Sequence, residues 1–76
     1  MKVVMVWYDP KTMRDKRIEK KVPWDFAFNA AKKVLDSKRK NYTMFPGTHL
    51  GNDNYMFVAH SPDGKTSVKL WVYKDQ

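Results

Sequence analysis

The stretch from Asn54 to Tyr73, NYMFVAHSPDGKTSVKLWVY, constrains the fold most, because it has the pattern of two strands joined by a turn. Pro62 presets the first central turn residue, Asp63 suits the second, and Gly64 supplies the positive φ that follows. This turn chemistry predicts a three-residue hairpin loop with a bulge at Gly64.

The predicted loop length sets the register of the hairpin, because side chains alternate between the two faces of a strand. We expect Val58 to pair with Val68, and Ser61 with Lys65. One face then carries aliphatic side chains, which are Met56, Val58, Val68, Leu70 and Val72. The other face carries aromatic side chains and a lysine, which are Tyr55, Phe57, Lys69, Trp71 and Tyr73. A single helix covers only one apolar face, so what covers the second face becomes the functional question.

Three further segments have strand character. Lys2 to Tyr8 has apolar residues on both faces and is predicted to be a central strand covered on both sides. Ile18 to Val22 alternates with charged residues and is predicted to be an edge strand, guarded against edge-to-edge pairing by its lysines. Tyr42 to Phe45 is predicted to be a short strand, and Gly47 to Asp53 a polar loop.

One helix is predicted from about Pro23 to Arg39. Proline is favoured at the first helical position, and Asp25 suits the positive end of the helix dipole. Asn41 is predicted to end the helix. An apolar stripe at three- and four-residue spacing is formed by Trp24, Ala27, Phe28, Ala31, Val34 and Leu35. We therefore predict a single α+β domain over residues 1–76, with one helix packed on an antiparallel sheet of three to five strands in ββαβββ-like order.

Composition limits the classes of protein. The chain has 76 residues and no cysteine, so neither a disulfide nor a thiolate metal site holds it together. The apolar run from Val3 to Tyr8 is far shorter than the ~20 residues of a membrane span, and it lacks a signal-peptide cleavage site. We expect a cytoplasmic protein that makes no membrane contact.

No catalytic or metal-binding pattern is recognisable. His49 and His60 are the two histidines, and their spacing matches no zinc motif. Ser61 and Ser67 lack a nucleophile elbow, the glycines form no phosphate loop, and the carboxylates are scattered beside lysines. The sequence therefore predicts no enzyme, no metal and no cofactor, with an enzyme of unrecognised type as the weakest alternative.

The net charge of +7 is concentrated in one segment. Residues 11–40 contain eleven basic and four acidic residues, whereas the remainder is balanced. The predicted nucleic-acid-binding residues are Lys16, Arg17, Lys20, Lys21, Lys32, Lys33, Lys38, Arg39 and Lys40. Lysines in such a segment would contact phosphates and release counterions. The alternative is a solvated basic face with no ligand.

The aromatic face of the hairpin has three interpretations. It forms the core, or it is an exposed platform on which bases stack while Lys69 meets a phosphate. In the third, it is a protein-partner or homodimer interface, because Trp and Tyr dominate such contacts.

We therefore predict a small non-enzymatic basic binding module that contacts nucleic acid, either DNA or RNA, through its phosphates. The alternative is a protein–protein regulator or inhibitor that uses the aromatic face against an acidic protein. Its size and basicity match those of a phage protein that modulates a host factor, which is an analogy of composition alone. A homodimer is compatible with either prediction.

Overall fold

The computed structural model describes residues 1–23 and 26–74. Within those residues the chain forms one helix and six strands in the order ββαββββ. The elements are β1 (Lys2–Asp9), β2 (Arg14–Lys21), α1 (Ala27–Lys38), β3 (Thr43–Met44), β4 (Thr48–Gly51), β5 (Asn54–His60) and β6 (Ser67–Tyr73). The architecture is α+β with an antiparallel sheet, but the predicted strand number and order are wrong.

The strands form one sheet in the order β2-β1-β6-β5-β3, with β4 also paired to β5. β1 pairs with a strand on each side and β2 is an edge strand, as predicted, but β2 spans Arg14–Lys21 rather than Ile18 to Val22. The predicted cover on both faces of β1 is not found among the described residues. Helix α1 packs against one face of β1, β5 and β6, where the core side chains lie. The core consists of Val3, Met5, Ala30, Ala31, Val34, Leu35, Phe57, Ala59, Val68, Leu70 and Val72. Among the described residues, no helix or strand covers the opposite face, which we call the open face.

The hairpin register differs from the prediction by one residue. Val58 pairs with Lys69, and Phe57 with Leu70, because four residues separate Ser61 from Thr66. The Ser61 N–H donates to the Thr66 carbonyl at 2.9 Å, which closes the longer loop. Because side chains alternate along a strand, a register slip of one residue places every side chain of one strand on the opposite face of the sheet, relative to its partner strand.

The predicted aromatic face is therefore split. Tyr55 and Phe57 lie on the helix side, where Phe57 is buried. Lys69, Trp71 and Tyr73 lie on the open face, beside Met56 and Val58 rather than beside the two aromatic residues of β5.

Side-chain hydrogen bonds hold the longer loop. The Asp63 carboxylate accepts from the Ser61 hydroxyl at 2.6 Å and from the Lys65 N–H at 3.0 Å. Ser61 Oγ in turn accepts from the Thr66 N–H at 3.1 Å. The Ser61 and Lys65 bonds lower the pKa of the Asp63 carboxyl below its usual value, since they stabilise its charged form. Gly64 has the predicted positive φ, at 73°.

The helix begins later than predicted. Its N-cap is Phe26, in extended geometry and without a side-chain cap, so Pro23 is not its first residue. Trp24, predicted on the apolar stripe, and Asp25, predicted at the positive end of the helix dipole, lie outside the described residues. Phe28 is 43% exposed, although its ring meets Phe57 edge-on at 5.8 Å.

The segment predicted to be a polar loop, residues 47–53, contains strand β4. His49 of β4 pairs with Tyr55 of β5, and their rings lie 4.8 Å apart. The residues of β4 have no apolar alternation of their own, so the sequence did not predict a strand there. Pairing with β5 is what stabilises β4.

Candidate nucleic-acid interface

A basic groove of about 300 Å³ lies between the edge strand β2 and helix α1. It is lined by Lys20, Lys21, Val22, Lys33, Val34, Ser37 and Lys38, and none of these residues is acidic. The fold thereby brings together four of the nine predicted binding residues from two segments of the chain. We refer to this feature as the basic groove.

Three of the groove lysines have no acidic partner among the described residues. Within residues 1–23 and 26–74, no carboxylate lies within 4.0 Å of the ammonium groups of Lys20, Lys21 or Lys38. Like charges gathered round a concave surface raise its positive potential and attract small anions or phosphates. The groove hydroxyl, on Ser37, donates to the Val34 carbonyl at 2.7 Å.

The other five predicted cations do not line the groove, and two of them have acidic partners. Arg17 is paired with Glu19, and Lys32 with Asp36 at 3.5 Å. These exposed pairs are weak, so a polyanion can compete for both cations at small cost.

The remaining predicted cations, Lys16, Arg39 and Lys40, lie near the C-terminal end of the helix or on the edge strand. Arg39 lies over the ring of Trp7, 5.0 Å from its centroid, and Lys16 is the cross-strand partner of Trp7. The contact with Trp7 holds the Arg39 guanidinium against the protein surface.

The open face carries a mixed apolar and basic surface. Cross-strand pairing aligns Val4 with Trp71 and Met56, and Val6 with Lys69 and Val58. Lys2 lies over the Tyr73 ring at 5.1 Å. Of the predicted stacking residues, the structure therefore groups Lys69, Trp71 and Tyr73 here and places Tyr55 and Phe57 against the helix.

A second concavity, of about 310 Å³, lies on the open face where β1, β2 and β6 meet. It is lined by Val6, Trp7, Tyr8, Asp15, Ser67, Lys69 and Trp71. We call it the Trp71 recess. Sequence reasoning selected Lys69 and Trp71 but missed Tyr8, Asp15 and Ser67. The sequence of β1 showed apolar residues on both faces of that strand. It did not show which residues lie beside Tyr8, because the neighbours of Tyr8 depend on the strand order.

The two histidines lie apart. His49 is aligned with Tyr55 on the helix side of the sheet, whereas His60 is aligned with Ser67 on the open face and meets the Phe45 ring. Among the described residues, no three His, Cys, Asp or Glu side chains are grouped in a way that could hold a metal ion. The described part of the chain also contains no helix long and apolar enough to cross a membrane.

Comparison with known proteins gave no family for the chain. No protein-family model, no curated protein sequence and no solved structure matches it significantly.

Proposed function

We propose that this protein is a non-enzymatic basic binding module of the cytoplasm that binds nucleic acid through phosphate contacts. The observation that supports the proposal best is the basic groove. Its lysines come from β2 and α1, and Lys20, Lys21 and Lys38 have no carboxylate within 4.0 Å in the described part of the chain.

Phosphate groups suit this groove because lysine contributes point charges with rotatable donors, which do not demand one fixed geometry. Each phosphate that a lysine neutralises releases condensed counterions, so the affinity depends on salt and little on sequence. Arg17 and Lys16 continue the basic surface along β2, beyond the groove. A polyanion is therefore a better ligand than a single phosphate.

The proposal is tested by replacing Lys20, Lys21 and Lys38 with glutamine. A matched control replaces Lys11, Lys65 and Lys74, which lie outside the groove. Each triple variant lowers the net charge of +7 by three, so the two differ in the position of the lost charges and not in their number.

Binding is measured by fluorescence anisotropy with labelled single- and double-stranded DNA and RNA at several salt concentrations. We expect the groove variant to bind every sequence more weakly. Its log–log salt slope for single strands should shrink by about 2, since each lost contact contributes ~0.7. The control should keep most of the wild-type slope.

Equal losses in the two variants would mean that net charge alone drives binding and that the groove is not a site. No binding by the wild type to any nucleic acid at low salt would overturn the proposal. An acidic protein that docks on the open face, where Trp71 and Met56 lie, would then be the leading alternative.

A further inference from the structure

The Trp71 recess combines three kinds of chemistry in one concavity. Trp71 is partly exposed and Tyr8 is 53% exposed, so aromatic surface is accessible there. Lys69 supplies a cation, and Asp15 supplies an oxygen acceptor. Its volume of about 310 Å³ lies at the lower end of the range for small-ligand pockets, ~300–1,000 Å³. The recess therefore suits one planar, polar ring rather than a large ligand.

The two charged groups of the recess do not neutralise each other. In the described ranges, the Asp15 carboxylate has no cation within 4.0 Å, and the Lys69 ammonium has no carboxylate within that distance. A carboxylate accepts hydrogen bonds and donates none, whereas an ammonium group donates only. The ligand should therefore carry N–H donors at one side and a negative charge at the other.

The recess and the basic groove lie near opposite ends of β2. Asp15 and Lys20 are five residues apart, which corresponds to about 17 Å at ~3.3–3.4 Å per residue. Asp15 is on the open face, and Lys20 is on the helix face opposite Val3. A ligand that fills both sites must bend round the sheet edge, which a flexible single strand does easily and a stiff duplex does not.

We propose that the Trp71 recess binds one base of a single-stranded nucleic acid and selects guanine; this rests on the proposed nucleic-acid function. The base stacks on Trp71, as in other single-strand sites that combine aromatic rings with cations. Lys69 meets a neighbouring phosphate, and the Asp15 carboxylate accepts hydrogen bonds from the Watson–Crick edge of the base.

Guanine is the base that fits Asp15 best. Its N1–H and N2–H donors are adjacent and point the same way, so both oxygens of the carboxylate accept at once. Adenine and cytosine offer an amino group next to an acceptor nitrogen. Thymine and uracil offer one N–H between two carbonyl oxygens, which a carboxylate repels. The expected order of affinity is guanine, then adenine and cytosine, then thymine.

The test compares a fluorescein-labelled strand of ten thymidines with the same strand carrying one central guanosine. We expect the wild type to bind the guanosine strand about tenfold more tightly, which corresponds to ~1.4 kcal/mol. Asp15→Asn should bring the ratio close to one, and Asp15→Ser should do the same. Asp36→Asn, which removes the same charge from the outer side of α1, should leave the ratio unchanged.

Equal wild-type affinities for the two strands, or a ratio that survives both Asp15 variants, would overturn the recess proposal. If both strands bind equally and still require the groove lysines, the recess fails and the proposed function stands. If neither strand binds at low salt, both fail.

Discussion

A methyl group added at Gly47 should collide with the Phe57 ring. An ideal Cβ at this position would lie 2.6 Å from Cδ1 and 2.9 Å from Cζ of that ring, and closer still to Cε1. Carbon atoms in contact are normally ~3.5–4.0 Å apart, so the ring would have to move by about 1 Å. The backbone of Gly47 does not have positive φ, and the collision is therefore the main effect of Gly47→Ala.

The Phe57 ring has little room to move. It is 4% exposed, it stacks on Tyr55 at 6.3 Å, and Phe28 meets it edge-on. Overpacking of a closed site costs ~1–3 kcal/mol. We expect Gly47→Ala to lower the free energy of unfolding by about that amount, measured by urea denaturation with an unchanged slope.

A double-mutant cycle isolates the cause. In a Phe57→Leu background the ring is absent, so Gly47→Ala should cost less than ~0.5 kcal/mol, leaving a coupling of ~1–2 kcal/mol. The control is Gly64→Ala. It adds the same methyl group where no atom lies within 4 Å, and it costs ~1–2 kcal/mol through its φ of 73°. That cost should be the same in both backgrounds.

Additive effects of Gly47→Ala and Phe57→Leu would refute the reasoning. Phe57 would then lie away from Gly47, although the pairing of Thr48 with Met56 brings the two residues side by side. The cycle therefore tests the packing of Phe57 against the segment that precedes β4.

Two further predictions concern stability. Leu35→Ala, at a fully buried position of α1, should lower the free energy of unfolding by ~2–5 kcal/mol in a urea melt, whereas Lys32→Ala on the exposed side should stay within ~0.5 kcal/mol. Folding lowers the pKa of Asp63 from its value of about 3.8 in the unfolded chain. The charged carboxylate therefore stabilises the fold above that pH. This stabilisation is lost as the pH falls through the lower pKa of the folded state. The stability difference between wild type and Asp63→Asn should accordingly be constant near neutral pH and shrink below about pH 4; a difference that does not change with pH would contradict it.

Local patterns determined several elements correctly. The apolar run of β1, the edge position of Ile18 and the positive φ of Gly64 follow from residues close together in the chain, whereas the first half of β2, which begins at Arg14, was not predicted to be a strand. The helix stripe identified Ala31, Val34 and Leu35, which are buried. These predictions held because side-chain period and turn conformation are properties of a few neighbouring residues.

The candidate sites depended on contacts that the sequence leaves open. The hairpin loop between Ser61 and Thr66 has one residue more than predicted, and this places Phe57 and Trp71 on opposite faces of the sheet. The turn motif is compatible with both loop lengths, so the sequence alone did not decide between them. Strand β4 forms through pairing with β5, so its own residues gave no strand pattern.

The sequence by itself determined that the positive charge lies in residues 11–40 and that the hairpin has two apolar faces. The tertiary structure decided which face the helix covers, which lysines meet across the basic groove, and that Asp15 joins Lys69 and Trp71 in one recess. The physical reason is that composition and periodicity are local, whereas register and strand order are fixed by packing energy summed over the whole sheet. A shift of one residue costs little within the loop, but it reassigns every side chain of a strand.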